Sequence, residues 1–197
     1  MLALACWVAV GVVVVLAVVR RRWPGGRLAG VFDGLCPNAL WLAWGVALVS
    51  TLGSLYYSEI AHFTPCKLCW YQRICMYPLA VILLVAAVRR DRKIWVYVMA
   101  QAVIGAGFAI YHTQLQAFPS QGSSFCTTLE PCTVRYVWEF GFVSLPFMAL
   151  SAFVFIITML LVARGADGTR GALSSFENRA EQEPGARGAP LEGSLSR

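Results

Sequence analysis

Residues 140–163 read FGFVSLPFMALSAFVFIITMLLVA and contain no Asp, Glu, Lys or Arg. A helix needs about 20 mainly apolar residues to cross the hydrocarbon core of a bilayer, so this stretch is long enough to span a membrane. Four other stretches also lack charged residues, namely 1–19, 34–58, 74–88 and 94–129. The sequence therefore predicts an all-α membrane protein with five transmembrane helices.

The composition of the whole chain agrees with this interpretation. Hydrophobic residues make up 58% of the 197 residues and charged residues 13%, whereas charged residues make up about 25% of a typical soluble protein. The mean hydropathy is +0.64. So few charges cannot cover the surface of a water-soluble protein of this size. The net charge of +6 lies in short clusters between apolar runs, which argues against nucleic-acid binding.

The basic residues predict the orientation, because loops rich in Lys and Arg stay in the cytoplasm. Thirteen of the 16 basic residues fall on one side of the predicted membrane and three on the other. The N-terminus is therefore expected outside and the C-terminus in the cytoplasm. A cleaved signal peptide is the alternative for residues 1–19, but the arginines at 20–22 follow the apolar run instead of preceding it.

Three segments are expected along the chain. Residues 1–22 form an extra N-terminal transmembrane helix that is retained as an anchor, and residues 35–163 form a domain of four helices. Residues 164–197 are rich in Gly, Ala, Pro and Ser without periodicity, which predicts a disordered cytoplasmic tail.

The predicted topology places four of the seven cysteines in the two outer loops. Cys66 and Cys69 form a Cys-x-x-Cys pair, and Cys126 and Cys132 form a second pair, on the side where disulfides persist. Four cysteines allow three pairings, of which the local one closes the smallest rings and costs least. A four-cysteine zinc site and two purely structural disulfides remain alternatives. The other cysteines are expected to be apolar packing residues or free thiols: Cys6, Cys36 and Cys75.

The uncharged stretch 74–88 is too short to cross a membrane, but a helix that begins near Cys66 and reaches Val88 is long enough. The Cys-x-x-Cys pair then lies at the outer membrane surface, where the positive end of the helix favours thiolate over thiol. Arg73 follows Cys69 by one helical turn, so its guanidinium is predicted to stabilise a Cys69 thiolate and to bind a carbonyl oxygen at the membrane boundary. A snorkelling interface arginine is the alternative for this residue.

Redox exchange at both pairs requires an acceptor for the electrons that an outside dithiol delivers. The sequence contains no nicotinamide, flavin or haem-attachment motif. A lipid-soluble quinone is then the available acceptor, and it would meet the protein where Cys69 and Arg73 are predicted to lie. Quinones play this part in keeping a bacterial periplasm oxidising.

Residues 62–78, HFTPCKLCWYQRICMYP, resemble the signature of the DsbB family of disulfide-bond formation proteins and are most similar to its BdbC-like members. The segments CTTLEPCTVRY at 126–136 and FGFVSLPF at 140–147 also resemble that branch, as does the Tyr-His pair at 111–112. The similarity covers about residues 39–163, which is four of the five predicted helices. The N-terminal helix has no counterpart in the family pattern.

The resemblance implies a four-helix transmembrane bundle of DsbB type in the bacterial cell membrane. It implies a thiol:quinone oxidoreductase that reoxidises an extracytoplasmic, thioredoxin-fold partner of DsbA/BdbD type, with ubiquinone or menaquinone as the cofactor and with no metal and no nucleic acid. By the same resemblance, the partner attacks Cys126 of a Cys126–Cys132 disulfide. Cys132 then attacks Cys66, and Cys69 transfers the electrons to the quinone.

The residues expected beside the quinone are Cys69, Arg73, His112 and Trp70. For His112 a polar anchor at the membrane interface is the alternative role. For Trp70 the alternative is membership of the aromatic belt that membrane proteins carry at both interfaces.

Overall fold

The computed structural model describes residues 2–22, 30, 34–91, 94–119, 126, 132–133 and 143–182. Within these residues the chain forms helices and no strand, so the predicted all-α class is confirmed. The main helices are α1 (Leu2–Arg22), α2 (Ala39–Leu55), α3 (Lys67–Arg89), α4 (Trp95–Ala117) and α5 (Leu145–Gln182). Among the described residues, five segments are long and apolar enough to cross a membrane, as predicted: Ala3–Arg20, Ala39–Ile60, Lys67–Arg89, Trp95–Ala117 and Leu145–Arg164.

The start of α3 positions the first cysteine pair. Cys66 is the N-cap residue, with extended backbone angles (φ −72°, ψ 170°), and its carbonyl oxygen accepts the Trp70 N–H at 3.2 Å. At the other end Arg90 has φ 52°, in the left-handed region, where a chain commonly leaves a helix. The sequence-based prediction of a helix from near Cys66 to Val88 is therefore confirmed.

A short connection joins the C-terminal end of α2 to the start of α3. α2 passes into a π-helical turn at Tyr56–Ile60, and His62 (φ 54°) then takes the left-handed conformation. Because α2 packs against α3, and α3 against α4, residues near the C-terminal ends of α2 and α4 come close to residues near the N-terminus of α3.

Small and polar residues fix the contact between α3 and α4. Gln101 donates a hydrogen bond from Nε2 to the Cys75 carbonyl oxygen at 3.0 Å, and such bonds join helices inside membranes. A Cβ atom added at Gly105 would collide with the Phe153 ring of α5 and lie 3.0 Å from Cys75 Cβ. Cys75, like Cys6 of α1, is a buried free thiol, as the sequence predicts.

Replacing Gly105 with valine is expected to destabilise the protein by about 1–3 kcal/mol, because the added side chain overpacks the contact with Phe153. Thermal unfolding of the detergent-solubilised protein measures the change. Gly107→Val is the matched control, since a Cβ at Gly107 has nothing within 4 Å. Equal loss of stability in the two variants would contradict this role of Gly105.

The chain divides into two units after Arg164, and all contacts described below lie in the first. The backbone of α5 remains helical as far as Gln182, whereas the composition predicts a disordered tail from residue 164. Residues 171–182 carry good helix formers such as Ala, Leu, Glu, Arg and Gln, and Pro184 follows the end of the helix. The prediction for residues 183–197 falls outside the described residues.

Candidate functional site

Cys66 and Cys69 form a close pair at the N-terminus of α3. Their Sγ atoms lie 3.2 Å apart and are hydrogen-bonded, and both residues are free thiols. The three-residue spacing places the two side chains on one face of the first helical turn. This end of α3 therefore carries a dithiol.

The second pair, Cys126 and Cys132, is joined by a disulfide. Cys132 belongs to the same buried cluster as Cys66, together with Leu68 and Leu115, and Cys69 and Cys126 pack against that cluster. Of the three pairings open to four cysteines, the structure contains the local one for Cys126 and Cys132. The fold thus brings together two cysteine pairs that are about sixty residues apart in sequence.

Exposure differs within each pair. Cys132 is 2% exposed and Cys66 is 8% exposed, whereas Cys126 and Cys69 are partly exposed. Each pair therefore has one buried cysteine, in the cluster that the two pairs share, and one partly exposed cysteine.

His112 of α4 contacts both pairs. Its Nε2 atom lies 3.7 Å from Cys66 Sγ and 3.2 Å from the carbonyl oxygen of Cys132. Its Nδ1 atom lies 3.2 Å from Nε2 of Gln72. The side chain is 2% exposed, so these polar contacts replace the hydrogen bonds that the ring would make with water.

The surroundings of Cys66 favour its thiolate. A hydrogen bond from Cys69 lowers the pKa of the Cys66 thiol, and the nearby His112 ring lowers it further, although burial acts in the opposite direction. This differs from the sequence-based prediction, which places the thiolate on Cys69 because Arg73 follows it by one turn.

Arg73 is held by α2. It donates hydrogen bonds from Nε to Ser54 Oγ at 2.9 Å and from Nη2 to the Ser54 carbonyl oxygen at 3.1 Å. The guanidinium carbon also lies 5.4 Å from the centre of the Trp70 ring, within the range of a cation–π interaction. These contacts fix the orientation of the arginine.

A cavity of about 290 Å³ lies between α2, α3 and α5. Cys69, Gln72 and Arg73 contribute thiol, amide and guanidinium groups to its wall. The rest of the lining is mostly apolar or aromatic: Val49, Ser50, Gly53, Ser54, Tyr57, Met76, Tyr77, Leu145, Pro146, Met148, Ala149 and Phe153. Small-molecule sites are typically apolar cavities with a few polar groups that orient the ligand, and this cavity has that character.

The four residues predicted beside a quinone do not all line the same site. Cys69 and Arg73 line the cavity, whereas Trp70 and His112 are not among its described lining residues. Trp70 is 52% exposed and follows Cys69 by one residue, which turns it about 100° around the helix. His112 lies against Cys66, on the side of the disulfide.

Sequence reasoning did not find Gln72 or Ser54. The Gln72 amide lines the cavity and also contacts His112. Gln72 follows Cys69 by three residues on one helix, and this spacing indicates that the two side chains share a face. Ser54 lies 19 residues before Arg73 on another helix, and no local pattern predicts that contact.

The atoms of Cys66, Cys69 and His112 that can ligate a metal all lie within 4.8 Å of one another. Cys126 and Cys132 are joined to each other, so their sulfurs are not available as thiolate ligands in this state. The four-cysteine zinc site that the sequence leaves open would require this disulfide to be reduced.

Comparison with known proteins gives consistent matches. The family model described as "Disulfide bond formation protein DsbB" matches residues 37–163. Disulfide bond formation protein C of Bacillus subtilis (strain 168) is 46% identical over 127 residues, which cover 64% of this chain and 92% of the relative. A probable disulfide formation protein of Coxiella burnetii is 40% identical over 135 residues, covering 68% of this chain and 92% of the relative. No solved structure matches the chain significantly.

The family match begins just before α2 and ends within α5, so it includes both cysteine pairs, Arg73 and the cavity but not α1. It agrees with the resemblance that the cysteine motifs indicate, and the extra N-terminal helix lies outside it. The chain therefore belongs to the DsbB family of disulfide bond formation proteins.

Proposed function

We propose that this protein is a membrane thiol:quinone oxidoreductase that reoxidises an extracytoplasmic, thioredoxin-fold disulfide donor. Membership of the family establishes a role in disulfide bond formation. The observation that carries the finer proposal is the order of the four cysteines. A partly exposed Cys126 leads through buried Cys132 and Cys66 to Cys69, which lines an apolar cavity beside Arg73.

Transfer from the partner begins at Cys126. A thiolate of the partner attacks Cys126 Sγ, the bond to Cys132 breaks, and its electron pair remains on Cys132 as a thiolate. Attack at Cys126 is favoured over attack at Cys132, because Cys132 is 2% exposed and a protein partner cannot reach it. The product is a mixed disulfide between the partner and Cys126.

The buried sulfurs carry out the exchange between the pairs. Cys132 attacks Cys66 of an oxidised Cys66–Cys69 pair, and Cys69 leaves as a thiolate. The partner's second thiolate then releases Cys126 and leaves as the disulfide form of the partner. Cys126 attacks Cys132, which restores the Cys126–Cys132 disulfide and releases Cys66. Two electrons have then moved from the partner to Cys66 and Cys69.

The cavity beside Cys69 is the place where these electrons leave the protein. A membrane quinone bound there supplies an acceptor for two electrons and two protons. Arg73 orients the ring, because a guanidinium has five N–H donors and Ser54 accepts only two of them in this structure. Cys66 and Cys69, which the exchange leaves as thiolates, would each give up one electron and become joined as a disulfide, and the two protons would come from the surrounding water.

The test of the proposal is quinone reduction by the purified, detergent-solubilised protein. A reduced thioredoxin-fold dithiol serves as electron donor, and the absorbance of ubiquinone or menaquinone is followed. We expect continuous turnover by the wild-type protein and none by the Cys126→Ser, Cys132→Ser double variant. Absence of turnover with several quinones and several donors, from protein shown to be folded, would favour a non-catalytic scaffold with structural disulfides.

Replacing Arg73 with alanine is expected to raise the apparent KM for quinone about tenfold or more, because a charge-assisted hydrogen bond to the ring is lost. The KM for the dithiol partner should not change, since the partner reacts at Cys126. Ser54→Ala should give a smaller rise in the quinone KM, because it loosens the arginine without removing it. An unchanged quinone KM in Arg73→Ala would contradict this assignment.

A further inference from the structure

His112 is a buried imidazole that the exchange steps above do not use. Its Nε2 atom faces the sulfur of one cysteine pair, Cys66 Sγ at 3.7 Å, and the backbone of the other, the Cys132 oxygen at 3.2 Å. The ring therefore lies where the two pairs must exchange.

Gln72 determines which ring nitrogen carries hydrogen. Its amide nitrogen lies 3.2 Å from His112 Nδ1, so an amide N–H donates to Nδ1, and Nδ1 is the acceptor of a neutral ring. The hydrogen is then on Nε2 and points toward the Cys132 oxygen and Cys66 Sγ. Gln72 is 7% exposed, so water does not compete effectively for this hydrogen bond.

We propose that Gln72 and His112 act together in the exchange between the two cysteine pairs. His112 is the catalytic donor, because its Nε2–H holds the Cys132 backbone near Cys66 and donates to Cys66 Sγ. Gln72 is a positioning residue, because it holds the ring in the form that can donate. This inference rests on the proposed function and assigns His112 to sulfur chemistry instead of to the quinone.

The step concerned is the release of Cys66 from a Cys66–Cys132 disulfide. Cys126 thiolate attacks Cys132 Sγ, the Cys126–Cys132 bond forms, the Cys66–Cys132 bond breaks, and the electron pair leaves on Cys66 Sγ. A hydrogen bond from Nε2 strengthens as negative charge develops on that sulfur, since charge-assisted hydrogen bonds are the stronger ones. The donor therefore stabilises the departing thiolate more than it stabilises the disulfide.

The matched variants are Gln72→Met and Gln101→Met. Both remove a glutamine that makes one hydrogen bond between α3 and α4, but Gln101 bonds to the Cys75 carbonyl oxygen, away from the redox pairs. The protein with both pairs oxidised is mixed with reduced partner in the absence of quinone, quenched with acid and alkylated. Peptide mapping then follows the reduction of Cys66 and Cys69 and the amount of Cys66–Cys132 disulfide.

We expect Gln72→Met to slow the appearance of free Cys66 about tenfold, the effect of losing one well-placed hydrogen bond, and to accumulate the Cys66–Cys132 disulfide. Cys69 should become free at the wild-type rate, because it leaves in the preceding step. Gln101→Met should exchange at the wild-type rate. Equal rates in Gln72→Met and wild type would overturn the inference. If wild type itself passes no electrons between the pairs, the proposed function fails before this inference is reached.

A second measurement determines directly which ring nitrogen of His112 carries hydrogen. The chain has two histidines, so ¹⁵N-labelled histidine gives few ring signals, and His62→Gln assigns those of His112. We expect hydrogen on Nε2 in wild type and in Gln101→Met, and a mixture of the two neutral forms in Gln72→Met. A wild-type ring with its hydrogen on Nδ1, or a ring form unaltered in Gln72→Met, would overturn the role of Gln72.

Discussion

Replacing Cys132 with serine is expected to trap the partner protein on Cys126 as a mixed disulfide. The Cys126 thiolate attacks the disulfide of excess oxidised partner and releases the partner's second sulfur as a thiolate. Because Cys132 is absent, only that thiolate can reverse the step, and alkylation at quenching blocks it. Non-reducing electrophoresis should show most chains in a covalent complex that a reductant dissolves.

The matched control for this trap is Cys75→Ser, which removes a buried thiol of α3 that belongs to neither pair and should give no complex. The Cys126→Ser, Cys132→Ser double variant should also give none. If the double variant still traps the partner, another cysteine receives the attack and the assignment of Cys126 is wrong.

Replacing Cys69 with serine is expected to lower the rate of quinone reduction by roughly 10³-fold or more, as the loss of a residue essential to the chemistry does in other enzymes. A serine cannot close the disulfide with Cys66, so the first pair has no oxidised form to restore. The intact Cys126–Cys132 disulfide should still oxidise about one equivalent of partner per chain. The expected signature is therefore a single burst of partner oxidation without continuing quinone reduction.

The absorbance assay for quinone reduction measures the loss of turnover, and titration of the partner's free thiols measures the burst. Cys75→Ser is the control that should retain wild-type turnover. Continued turnover by Cys69→Ser would show that the electrons leave by a route that does not include the cavity beside α3.

The start of α3 is the part of the fold that the sequence predicts best. An uncharged stretch too short for a span, with Pro65 and Cys66 before it, requires the helix to begin at the cysteine pair, and the structure has Cys66 as the N-cap. Helix length and capping are local properties, so a single sequence is enough to determine them.

Contacts between helices are harder to predict from the sequence. The hydrogen bonds of Ser54 with Arg73 and of Gln72 with His112 depend on how α2, α3 and α4 pack, and no spacing along one helix reports that. His112 illustrates the difference, because its position near the C-terminal end of α4 can be read from the sequence but its contact with Cys66 and Cys132 cannot.

The burial of Cys132 and Cys66 also affects which thiols this protein can oxidise. Free cysteine or glutathione is small, but both cysteines of the Cys126–Cys132 disulfide are partly or fully shielded from it. Cys132 is 2% exposed, and Cys126 is only partly exposed. Thiol exchange requires access to the sulfur under attack. A folded partner that binds over Cys126 is therefore expected to outcompete small free thiols as the substrate that this protein oxidises.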